Sequence, residues 1–91
     1  MTQPEDLVRM YKALSDGTRL KLIRSLFQHP HCTQQLAQIH GISEAAVSKH
    51  LKLLVESKFV TTERRGNYVF YKLMAGELEM MIVYLRDFLE Q

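Results

Sequence analysis

The stretch Thr33–Leu54, TQQLAQIHGISEAAVSKHLKLL, decides how this chain folds. Leu36, Ala37 and Ile39 give its first half an apolar side at helical spacing, and the small Ala37 lets a second helix cross close above it. Gly41 permits a backbone turn between the two that other residues resist. Ser43 is the natural N-cap of the second helix, because its hydroxyl oxygen accepts from an otherwise orphaned backbone N–H. On a wheel of that helix Val47, Leu51 and Leu54 share one face, whereas Ala45, Ser48, Lys49 and Lys52 lie opposite. Two short helices hinged at a glycine, the second with a cationic outer face, form a helix-turn-helix able to place its second helix in a DNA major groove.

Working outward, Pro4 suits the first turn of a helix that Leu7, Met10, Tyr11 and Leu14 continue at helical spacing. Asp16 caps a next helix, whose buried stripe is expected to be Leu20, Ile23, Leu26 and Phe27, ending at Pro30. Beyond Lys58 the period changes. Phe59–Glu63 and Tyr68–Leu73 are rich in β-branched and aromatic residues, and Arg64-Arg65-Gly66-Asn67 between them reads as a turn with positive φ at Gly66 and Asn67. This predicts a β-hairpin with arginines at its tip. A last helix, about 76–90, carries Leu78, Met81, Ile82, Leu85, Phe88 and Leu89 on one broad stripe. The expected architecture is mainly α with a β-hairpin, a winged helix-turn-helix in the order α-α-α-α-β-β-α. It forms one domain over residues 1–91, with the helix-turn-helix at about 33–57 and the wing at about 59–73. The terminal stripe needs a second surface. Either it packs back on its own domain, or it meets a second copy together with the first helix, about 4–14.

With 91 residues, the chain buries a modest fraction of its surface unless something such as dimerisation helps. At 46% hydrophobic and 24% charged residues it is expected to be globular, and no apolar run is long enough for a membrane span. No signal-peptide pattern opens the chain, and the single Cys32 cannot form an internal disulfide, so a cytoplasmic location is expected. The net charge of +2 is slight, but its distribution is informative: Ser43–Lys72 holds six Lys or Arg against three Glu, whereas Leu73–Gln91 holds one Arg against four acids. No nucleophile elbow or phosphate-cradling glycine loop is present, so neither an enzyme nor a cofactor is expected.

Three segments resemble the ArsR/SmtB family of bacterial dimeric repressors. They are Ala13-Leu14-Ser15-Asp16-Gly17-Thr18-Arg19-Leu20, then Ala46-Val47-Ser48-Lys49-His50-Leu51-Lys52-Leu53-Leu54, then Arg65-Gly66-Asn67-Tyr68-Val69-Phe70-Tyr71-Lys72-Leu73. Gly17 departs from the family's usual proline. The resemblance implies a homodimer held by the first and last helices, through Leu7, Met10, Tyr11, Leu14, Leu78, Met81, Ile82, Leu85, Phe88 and Leu89, that blocks transcription by covering an operator.

For double-stranded DNA the candidate contacts are Ser43, Glu44, Ala45, Ser48, Lys49, His50 and Lys52 on the second helix, with Arg64, Arg65 and Asn67 on the wing. N-terminal positions of a recognition helix enter the groove most deeply, so Glu44 suits a cytosine amino group, Lys49 a guanine and Ala45 a thymine methyl, while Lys52 suits a phosphate. The arginine pair suits a narrow minor groove. His50 has two readings, a DNA contact or a hydrogen-bonded residue at the seam between helix and domain. For sensing, the family's C-x-C site aligns its first position with Cys32 but its second with Gln34, and the terminal helix has no histidine. His29, His31 and Cys32 offer zinc- or copper-compatible chemistry without an evident fourth ligand, and the expected metal count is none. The residues also admit a redox role for Cys32 or a winged helix that binds only protein, and the inducer stays unassigned.

Overall fold

The computed structural model describes residues 1–91. Five helices and one antiparallel hairpin run in the order α1 (Pro4–Leu14), α2 (Gly17–Gln28), α3 (Thr33–His40), α4 (Glu44–Glu56), β1 (Val60–Arg65), β2 (Tyr68–Leu73) and α5 (Ala75–Leu89). Local chemistry sets most of the helix starts. Pro4 opens α1, and the Gln3 N–H before it donates to the Asp6 carboxylate at 3.1 Å. Asp16 accepts from the Arg19 N–H at 3.0 Å to begin α2, and Ser43 accepts from the Ala46 N–H at 3.0 Å to begin α4.

The hinge behaves as its glycine requires. Gly41 lies in the left-handed region at φ 65° and ψ 33°, and its N–H donates back to the Ala37 carbonyl. The far end of α4 has a left-handed residue that no glycine announces, Lys58 at φ 67°. Lys58 N–H donates to Val55 O and Phe59 N–H to Leu54 O, both at 3.0 Å, which is the paired closure of a Schellman motif. That closure turns the chain so that Phe59, fully buried, packs in the same core as Leu54.

The core gathers Leu22 and Leu26 from α2, Leu36 and Ala37 from α3, Val47, Leu51 and Leu54 from α4, and Phe59, Val60 and Leu73 around the hairpin. Two expectations need correction here. The buried stripe of α2 is Leu22 and Leu26 with half-buried Ile23, while Leu20 is exposed and Phe27 is 74% exposed. Apolar residues occur on both sides of this helix, so periodicity admits either stripe, and packing against α3, α4 and β2 selects the one holding Leu22. Ile39 is also exposed, leaving Leu36 and Ala37 as the inward side of α3.

The hairpin is longer than expected. Arg64 and Arg65 belong to β1, paired with Val69 and Tyr68, and only Gly66-Asn67 forms the loop. Gly66 has φ 62°, but Asn67 does not share the positive φ expected of it. A two-residue loop with positive φ confined to its first position follows the II′ pattern, which needs glycine only there. A further strand-like contact ties the wing down. His31 exchanges backbone hydrogen bonds with Tyr71, at 3.2 and 2.8 Å, so the segment entering α3 is stitched to β2.

Because Leu51 is fully buried among these elements, Leu51→Ala is expected to cost about 2–5 kcal/mol of unfolding free energy. Phe27→Ala should change it by no more than about 0.5 kcal/mol. Urea denaturation followed by circular dichroism separates the two.

Candidate nucleic-acid interface

Burial of Val47, Leu51 and Leu54 leaves α4 a single orientation, and its outer face is then set residue by residue. Glu44, Ala45, Ser48, Lys49 and Lys52 are exposed, and His50 is half-buried at the edge. Ser43 spends its oxygen on the cap, and Thr33 Oγ1 donates to Glu44 Oε1 at 3.4 Å, linking the start of α3 to the start of α4. Lys49 and Lys52 form no ion pair. No acid lies within ion-pairing distance of either lysine, exposed Glu56 standing one turn beyond Lys52 without pairing to it.

On the wing, alternation along the strands sends the two arginines to opposite sides of the ribbon. Arg64 shares a face with buried Val60 and Leu73 and makes no side-chain hydrogen bond or ion pair. Arg65 lies on the other face, 3.3 Å from Glu63 Oε2 and with its guanidinium 4.7 Å from the centre of the Phe70 ring. Exposed Asn67 sits at the tip. It borders a crevice of about 300 Å³ shared by Cys32, Thr33, Glu44, Tyr68 and Tyr71, so the first turn of α4 and the wing meet around one space. The structure thus places the expected residues on two adjoining elements, the exposed face of α4 and the wing.

His50 has its seam contact. Arg19 Nη1 lies 3.2 Å from His50 Nδ1, a partnership that sequence reading did not isolate. In the sequence Arg19 stands three residues after the capping Asp16, and in the structure its side chain turns back to the Ala13 and Lys12 carbonyls at the α1–α2 junction.

A family model described as "Bacterial regulatory protein, arsR family" matches residues 16–62, from the α2 cap through the helix-turn-helix into β1. The chain belongs to the arsR family. Among its relatives, a probable mercury resistance operon repressor from Streptomyces lividans is 33% identical over 72 residues, covering 79% of this chain and 58% of that protein. An ArsR-like transcriptional regulator from Rhodococcus sp. RHA1 superposes with a TM-score of 0.84 at 26% identity, over 92% of this chain and 79% of that one. The homodimeric winged helix-turn-helix DNA-binding domain of Mb0332 from Mycobacterium bovis has the same fold, with a TM-score of 0.78 at 22% identity over 96% of this chain and 82% of that one. As an arsR-family chain it is a transcriptional regulator and not an enzyme. No helix is long and apolar enough to cross a membrane.

Against that family background the His29–Cys32 segment has structural work. Cys32, half-buried, is the N-cap residue of α3, and its N–H donates to Gln35 Oε1 at 3.0 Å. The His29 and His31 rings stack with centroids 4.2 Å apart, and His31 Nδ1 lies 2.8 Å from the His29 carbonyl. No three His, Cys, Asp or Glu side chains gather closely enough to hold a metal ion.

Burial pushes the His31 imidazole below its ordinary pKa, the neighbouring His29 and His40 push the same way, and the bond to the His29 carbonyl opposes them. The folded state therefore favours neutral His31, and the unfolded chain binds more protons in mild acid. This contribution to stability is complete above the unfolded value of about 6.5 and is lost as pH falls from there through the lower folded value. His31→Asn should accordingly show a smaller drop in Tm than the wild type between about pH 7.5 and pH 5.

Proposed function

We propose that this chain is a cytoplasmic homodimeric repressor that binds a two-fold symmetric DNA operator, reading it with α4 and clasping it with the wing. The observation that carries this reading is the exposed outer face of α4. Lys49 and Lys52 stand on it without acidic partners, beside small Ala45 and Ser48, and the arginine-bearing wing adjoins it. Cations contribute affinity through phosphates and counterion release, and groups near the helix start contribute sequence choice. Lys49 is assigned to a guanine edge, Glu44 to a cytosine amino group, Ala45 to a thymine methyl, and Ser43 and Ser48 to nearby base or phosphate oxygens. Lys52 is assigned to a phosphate. Arg64 and Arg65, leaving the ribbon on opposite faces, are assigned to the two walls of the adjoining minor groove, with Asn67 between them.

Dimerisation is supported by what α1 and α5 leave uncovered. Met81 is buried and Leu78 and Tyr84 pack on the core, but Ile82 is 69% and Leu89 71% exposed. Tyr11, Leu85 and Leu89 edge an open apolar groove of about 470 Å³ that Leu7 and Phe88 also line, and Ile82 lies beside Leu85 and Leu89 on the adjoining surface. Leu7, Met10 and Met81, expected at the dimer surface, are already buried in the protomer, and Leu14 is half-buried against the core. Burying an exposed side chain such as Ile82 or Leu89 contributes about 1.5–3 kcal/mol, and a two-fold axis doubles each gain. A winged helix used only for protein association would call for an apolar or acidic α4 face, and this face is cationic.

Two measurements test the proposal. Lys49→Ala combined with Arg65→Ala should weaken binding to a duplex selected from a random pool by at least about 1–3 kcal/mol and lower the salt slope by about two. Unchanged affinity in an anisotropy titration would sink the interface. Ile82→Glu with Leu89→Glu should sediment as a folded monomer while the wild type sediments as a dimer.

A further inference from the structure

Arg19 joins three parts of the fold through one guanidinium, and its side chain is only 12% exposed. Nε–H donates to the Ala13 carbonyl at 2.6 Å and Nη2–H to the Lys12 carbonyl at 3.1 Å, the latter also accepting from the Ser15 N–H and hydroxyl, so the guanidinium reaches two carbonyls of the last turn of α1. Nη1 lies 3.9 Å from the Asp16 carboxylate and 3.2 Å from His50 Nδ1 on α4. A guanidinium can only donate, so Nδ1 must accept, and in a neutral imidazole the proton then resides on Nε2. No protein atom accepts from that Nε2–H, and no buried side-chain nitrogen or oxygen lacks a partner, so Nε2 must reach solvent.

We propose that Arg19 is a positioning residue that fixes His50 as a neutral Nε2–H donor to an operator phosphate, at the edge of the α4 surface. The proposal rests on the DNA-binding reading above and assigns His50 both of its roles at once: the seam bond on one ring nitrogen orients the DNA contact on the other. The same guanidinium grips the end of α1, so the donor's position is tied to the helix assigned to the dimer interface.

The test begins with nitrogen-15 NMR of the free protein in mildly alkaline buffer. His50 should show a protonated Nε2 and an unprotonated, hydrogen-bonded Nδ1, and Arg19→Lys should move the Nδ1 resonance toward that of a free lone pair. A protonated Nδ1 in the wild type overturns the proposal. Operator affinity is the second readout. His50→Phe should lose roughly tenfold or more with an unchanged salt slope, because a neutral donor displaces no counterion. Arg19→Lys should lose a similar factor, and adding it to His50→Phe should cost little more. Fully additive losses would show Arg19 acting apart from His50, and wild-type affinity for His50→Phe would show no contact; either overturns the inference. If Lys49→Ala still weakens binding in those cases, the DNA-binding reading stands without it. If the wild type binds no duplex, both fall.

Discussion

Everything outside the core depends on how α4 is seated. Val47, Leu51 and Leu54 are fully buried against Leu36, Leu22 and Phe59, and a rigid helix that buries one stripe cannot choose where its other stripe points. Ser43 fixes where the helix begins and Lys58, in its left-handed turn, fixes where the chain leaves for the wing. Lys49 and Lys52 face outward as a consequence of that packing. The bond between Thr33 and Glu44 at one edge and that between Arg19 and His50 at the other brace the same helix.

Much of this was legible in the chain because the signals are local. A glycine at the hinge, an aspartate and a serine at helix starts, and three apolar residues spaced for one face each act within a few residues, and Gly41, Asp16, Ser43 and Val47–Leu54 appear as their chemistry requires. What escaped is non-local or degenerate. Leu20 and Phe27 have helical spacing as good as that of Leu22 and Leu26, and only the packing of neighbouring elements decides between them. The Schellman closure at Lys58 uses a residue type that gives no warning of positive φ. The bridge from His31 to Tyr71 spans a large separation in the chain and leaves no pattern in either segment.

The candidate site divides in the same way. Residues of the α4 face could be chosen from a helical wheel. The directions of Arg64 and Arg65 could not, because a turn spanning both would have presented them together, whereas their place in β1 sends them apart. Arg19 was visible as one letter in a resemblance, and its function as a three-way tie emerged only when the end of α1, the cap of α2 and the edge of α4 converged. In α5 the broad stripe is real but divided: one margin rests on the core through Met81 and Leu78, and the other presents Ile82 and Leu89 outward. That division lets one helix complete the protomer and leave an apolar margin for the proposed second copy.

In the proposed complex two copies present two α4 helices to successive major grooves. Methylation protection of guanine N7 on a selected duplex tests this directly, since N7 lies in the major groove. Two protected patches related by a two-fold axis are expected, with centres about 10–10.5 base pairs apart or a multiple of that. Protection of a single patch, or binding with every guanine N7 left reactive, would contradict it.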